Sequence, residues 1–201
     1  MSAPAATLTM ERRPEPRPQK QAIPNGVMGM LLFVFTEGML FAGMISAYVI
    51  VKAQAAGQLW PPYGQPRLPV EETAVNTAAL LLSGAVLILA QKAFGRERRR
   101  AVLPMAVSVL LGMFFVGFQG VEWVHLLGEG LTMVSSTYGA FFYLIVGTHA
   151  AHAVGAILAM IWAWNRMRRG SLTQSQFATV QVFWYFVVLV WPVLYWKVYL
   201  S

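Results

Sequence analysis

The chain has no cysteine and no aspartate among its 201 residues. Without cysteine there are no disulfides, no thiolate metal sites and no cysteine nucleophile, and the redox compartment stays open. Acid is confined to eight glutamates, and charge of either sign is sparse, at 11% of residues against 57% hydrophobic. A mean hydropathy of +0.56 is too apolar for an ordinary soluble domain. Also missing are a glycine-rich nucleotide loop, a P-loop, a nucleophile elbow and an HExxH pair, so nothing in the chain catalyses a reaction by itself. The net charge of +7 does not argue for nucleic acid, because the basic residues sit in short blocks between apolar runs and not on a solvated face.

What remains is a set of five apolar segments: Val27 to Val51, Thr73 to Ala90, Val102 to Val124, Ser136 to Trp164 and Phe177 to Leu200. Each approaches or exceeds the ~20 residues that carry a helix across a bilayer. They are continuous blocks without the alternation of a transmembrane barrel, so the expected fold is all-α, a polytopic five-helix bundle over residues 27–201. The preceding residues 1–26, with Pro14, Pro16 and Pro18 among charges and no apolar core, read as a flexible cytoplasmic tail. Twelve of the fifteen Lys and Arg fall in the tail, the second loop and the fourth loop, which places the N-terminus inside and the C-terminus outside. The first outer loop holds Pro61, Pro62, Pro66 and Pro69, and reads as an ordered, non-helical strap. Pro192 predicts a kink or break near Val188 in the last segment.

Three groups of polar residues interrupt the apolar runs. Glu37 in FVFTEGML lies roughly 15 Å into its segment at 1.5 Å per residue. An ionised carboxylate there costs on the order of 3 kcal/mol, which favours the neutral form. Its helical neighbours are Phe33, Phe41 and Tyr48, whereas Gly38, Ala42 and Ser46 line another face suited to close helix contact. Glu37 therefore serves either proton exchange or contact with lipid or a partner, or else a structural hydrogen bond to the next helix. Gln119, Glu122 and His125 recur every third residue and are expected to reach the outer interface together, as a wetted helix end or a proton path. His149 and His152 stand one turn apart on one face. A bis-histidine haem would need His125 as partner, at a different depth, so ligand count disfavours haem or metal in this chain; hydrogen bonds to another helix, a lipid phosphate or one of the glutamates are expected instead.

Taken in order, TEGMLFAG, WPP, VNTAALLLSG, FQGVEW, STYGAFFYLIVGTHAAH and FWYFVVLVW resemble subunit III of the haem-copper terminal oxidases, in a five-helix form lacking the first two of seven helices. The resemblance covers about Met28 to Leu200. It implies an accessory, non-redox subunit of an oxidoreductase complex in aerobic respiration, which stabilises catalytic subunit I and supports proton uptake. It implies haem and copper in the partner subunits and none here, bound phospholipid, and a bacterial cytoplasmic (inner) membrane. Glu37 matches the family's intramembrane glutamate, Glu122 its QxxE glutamate, His149 and His152 its paired histidines, and Arg166 a basic position used for lipid headgroups. Tyr185 and Val188 depart from the family's usual histidine and aspartate. A membrane subunit accompanying a nitric oxide reductase, and a stand-alone proton or solute transporter, are the alternative readings.

Overall fold

A computed structural model of the chain describes residues 23–55, 60–62 and 64–200. The expected tail lies outside the described residues up to position 22, and so does part of the strap. Among the described residues there are five long helices and no strand: α1 (Asn25–Gln54), α2 (Val70–Arg96), α3 (Arg98–Gly128), α4 (Thr137–Arg168) and α5 (Gln174–Leu194). All five are long and apolar enough to cross a membrane. Each is longer than the apolar run that announces it at one end at least, because backbone pairing continues into polar residues once the helix exists. Thus α1 starts at Asn25, not Val27, and α2 starts at Val70, inside the stretch expected to be strap.

Contacts between side chains fix the topology. Ser83 meets Ser108, and Thr73 meets Glu122, so α2 and α3 run antiparallel, joined only by extended Glu97. Trp164 Nε1 donates to Val102 O and the Trp123 ring meets Tyr143, so α3 and α4 are antiparallel as well. The rings of Phe33 and Phe183 meet, as do those of Phe41 and Phe186, which makes α1 and α5 parallel neighbours. The result is an up-and-down bundle with an arginine-rich end and an opposite end carrying the strap. α5 touches α1, α2 and α4 and forms the centre.

Local chemistry sets the helix ends. Gly130 and Gly170 adopt φ of +90° and +70°, and behind them Leu131 N donates to Leu126 O and Ser171 N to Arg166 O, which closes α3 and α4 with the same left-handed turn. Thr173 and Gln176 form a reciprocal capping box at the start of α5.

The core is rich in aromatic side chains, with a few paired hydroxyls. Ser83 Oγ donates to Ser108 O at 2.7 Å and Ser108 Oγ returns a bond to Ser83 O at 2.9 Å. Two indoles of α5, two turns apart, donate to hydroxyls of α2: Trp184 Nε1 to Ser83 Oγ at 3.2 Å and Trp191 Nε1 to Thr77 Oγ1 at 2.8 Å. A Cβ at Gly112 would lie 2.7 Å from the Trp184 ring, so only glycine lets the indole cross α3 there.

Two expectations about backbone and packing change. α5 is unbroken through Val188, and the irregularity comes after Pro192 as a π-helical turn, Tyr195–Tyr199. Leu200 N donates to Tyr195 O there, so the helix widens after losing a donor instead of breaking before it. The small-residue face of α1 is not a tight seam: nothing lies within 4 Å of a Cβ built on Gly38, and Gly38 and Ala42 border a groove of about 490 Å3 against α5. Aromatic side chains of α5 hold the two helices apart.

The described part of the strap is non-helical and anchored. Trp60 Nε1 donates to the buried Tyr48 hydroxyl at 3.2 Å, its ring stands edge-on to Tyr138, and Ser135 Oγ donates to Gln65 Oε1.

Candidate functional site

Near the middle of the bundle α1 and α4 bring Glu37 and His152 together. Antiparallel packing of these helices aligns the Glu37 turn with the histidine turn, and His152 Nε2 stands 3.0 Å from Glu37 Oε2. The two side chains are 19% and 15% exposed, so they are shielded from bulk solvent without being sealed. His152 Nδ1 lies 2.7 Å from Thr148 O. A carbonyl oxygen only accepts, so Nδ1 carries a hydrogen and Nε2 faces the carboxylate as the other nitrogen of a fixed tautomer. Nε2 and Oε2 approach to 3.0 Å without hydrogen-bond geometry, and Glu37 Oε2 has no hydrogen-bond partner among the described residues. An imidazole and a carboxyl facing each other this closely can offset charge that either would bear alone in hydrocarbon. Phe33, Phe41, Phe183 and Phe186 surround the imidazole.

His149, one turn away, faces elsewhere. It is 1% exposed, its ring lies 5.1 Å from Trp191 and edge-on to Phe115 and Phe41. The two histidines thus share a helix and a Phe41 contact but belong to different surroundings. His125 is far more exposed, at the strap end of α3, with Nδ1 3.6 Å from Glu129 Oε1. Among the described residues no group of three His, Cys, Asp or Glu is placed to hold a metal ion.

The second carboxylate is enclosed by neighbouring elements. Gln119 and Glu122 are 4% and 6% exposed, and of this triplet only His125 is open. The reason is that the α2 end and the π turn of α5 fold over them. Thr73 Oγ1 lies 2.7 Å from Glu122 Oε1, while Gln119 Nε2 donates to Glu122 Oε2 at 2.7 Å and to the Tyr199 hydroxyl at 3.1 Å. Thr73 Oγ1 is also 2.7 Å from Pro69 O, and one hydroxyl hydrogen cannot serve two acceptors fully; a proton on Glu122 would complete the set. Thr73 and Tyr199 were not legible as site residues. The only hint was a threonine one turn before Asn76 and Thr77 in an otherwise apolar segment.

Arg166 sits at the arginine-rich end of α4. Its guanidinium lies 5.3 Å over Trp162 and donates to Ser171 O at 3.2 Å, and with Arg169 it borders a cavity of about 390 Å3. Of the two departures noted above, Val188 is buried against Gly84, and Tyr185 lines the α1–α5 groove.

Comparison with known proteins identifies the family. Residues 18–201 match the family described as Cytochrome c oxidase subunit III. A protein named probable cytochrome c oxidase subunit 3 from Nocardia farcinica is 34% identical over 185 residues, covering 88% of each chain. Its namesake from Mycobacterium leprae is 33% identical over 184 residues, again 88% of each. Cytochrome c oxidase subunit 3 of Arabidopsis thaliana is 34% identical over 180 residues, 85% of this chain and 66% of the plant protein. With nearly the whole chain matched and the quoted motifs set on five packed helices, the chain belongs to the cytochrome c oxidase subunit III family.

Proposed function

We propose that this chain docks on catalytic subunit I of a haem-copper oxidase in a bacterial cytoplasmic membrane, N-terminus inside, and supports proton uptake without redox chemistry of its own. The observation that carries this reading is the Glu37–His152 pair, an imidazole and a carboxyl 3.0 Å apart and shielded at mid-bundle. Such a pair can pass its proton between two atoms without leaving a bare charge in hydrocarbon. Haem and copper in the partner subunits supply the oxygen chemistry. Glu122, clasped by Thr73 and Gln119, is a second proton-exchanging carboxyl at the strap end. Arg166 and Arg169, beside the Trp162 ring, suit a phospholipid phosphate at the arginine-rich end. The twelve-to-three distribution of basic residues supports that end as the cytoplasmic one.

The test is purification of the native complex with and without Glu37→Gln. The wild-type chain should co-migrate with a haem-copper catalytic subunit. The variant should assemble equally but show altered proton uptake or shortened turnover, because glutamine can hold the His152 contact and cannot exchange a proton. Unchanged proton uptake and unchanged durability would return Glu37 to a purely structural bond.

A further inference from the structure

A cavity of about 230 Å3 lies between α3 and α4, with Trp191 of α5 behind it. Its wall is mostly apolar, including Phe115, Val116 and Val154, but three polar residues border it: Gln119, Trp123 and His149. Each brings a buried atom with no hydrogen-bond partner in the protein, namely Gln119 Oε1, Trp123 Nε1 and His149 Nε2. Three other indoles of the bundle are satisfied, Trp164 by Val102 O, Trp184 by Ser83 and Trp191 by Thr77. Three unpaired polar atoms around one cavity in a membrane interior carry a large desolvation cost unless something fills their valences.

The chemistry of the three atoms selects the occupant. An indole N–H only donates and an amide oxygen only accepts, so the occupant must offer both an acceptor and a donor. An acyl chain offers neither, and a cation is repelled by the N–H. Water offers both, and at a liquid share of about 30 Å3 per molecule the cavity has room for several.

We propose that this cavity is a hydrated site, and that its water makes His149 the inner end of a hydrogen-bonded track to the strap-end surface. From the cavity the track runs through Gln119, whose Nε2 donates to Glu122 at 2.7 Å. Glu122 in turn borders a polar cavity of about 420 Å3 shared with Arg67, Glu72, His125 and Glu129. The track ends at the ring of Phe41, which touches both His149 and His152 and stands between the water and the Glu37 pair. Polar groups thus lead from the strap side to within one helical turn of the Glu37–His152 pair, whichever complex the chain serves.

The experiment is side-chain hydrogen exchange of the full chain in lipid nanodiscs, with nitrogen-15 tryptophan read by two-dimensional NMR and signals assigned by single Trp→Phe variants. Trp123 Nε1–H should exchange at least about tenfold faster than Trp184 Nε1–H, a fully buried nitrogen bonded to Ser83, and should show a cross-peak to water. Equal protection of the two indoles, or cross-peaks from Trp123 only to lipid methylenes, would overturn the proposal. A second arm fills the cavity from Gly120, which borders it and has open space where a Cβ would be. Gly120→Leu should slow Trp123 exchange to within about threefold of Trp184 while leaving Trp184 unchanged. A Trp123 rate indifferent to filling would mean that water arrives by another route, and the assignment of this cavity would fail.

Discussion

Only Phe41 and Tyr48 of the 30 residues of α1 are buried, whereas α5 buries nine of its 21. The two helices lie side by side, yet they are held by different means. α5 is clamped by volume: Trp184 crosses Gly112, Val188 abuts Gly84, and two indoles bond to α2 hydroxyls. α1 is held at points, by the Glu37–His152 pair, by Phe41 among the histidines and Phe186, and by Tyr48 under Trp60. Lipid is as apolar as leucine, so helices associate in it through close packing and polar contacts, not through hydrophobic expulsion. α5 relies mainly on the first and α1 on the second. The Glu37–His152 pair therefore sits on the attachment that is easiest to loosen.

The strongest challenge to this contrast is Trp184→Ala, which empties the clamp; it should cost on the order of 3 kcal/mol in an unfolding titration in bicelles, and a loss under 1 kcal/mol would show that α5 is not held by volume. Next in size, Gly112→Ala forces the indole aside and should cost about 2 kcal/mol, seen as a lowered unfolding midpoint with unchanged helicity. Glu37→Leu strands His152 Nε2 and should cost about 1–2 kcal/mol, but locally. Backbone hydrogen exchange should rise in α1 and stay constant in α2, α3 and α5; a uniform rise would erase the distinction between the two attachments. The smallest effect belongs to Tyr48→Phe, which removes the Trp60 bond and should cost about 0.6 kcal/mol, measurable as coupling in a double-mutant cycle with Trp60→Phe.

The five spans were legible because apolar length is a one-dimensional property, and bilayer thickness imposes it directly. Glu37 and the paired histidines were legible as anomalies for the same reason. Their pairing was not, since it depends on how α1 and α4 are rotated about their own axes. One rotation sends His152 toward Glu37 and leaves His149 facing α3 and α5. The enclosure of Glu122 was not legible, because residue count gives distance along a helix but not what folds across its end. The start of α2 and the π turn cover it. The small residues of α1 misled in the other direction: Gly38 and Ala42 permit close approach, but the bulk of Phe183 and Phe186 on α5 decides that a groove remains.

The crossing of Trp184 over Gly112 also limits how this sequence can drift. The two positions share one volume, since the ring occupies the space a methyl group at 112 would need. A lineage cannot enlarge residue 112 while the indole is in place; the ring must shrink first, and the intermediate bears a cavity. Substitution at this crossing is therefore ordered in time, and the two residues change as a pair or scarcely change at all.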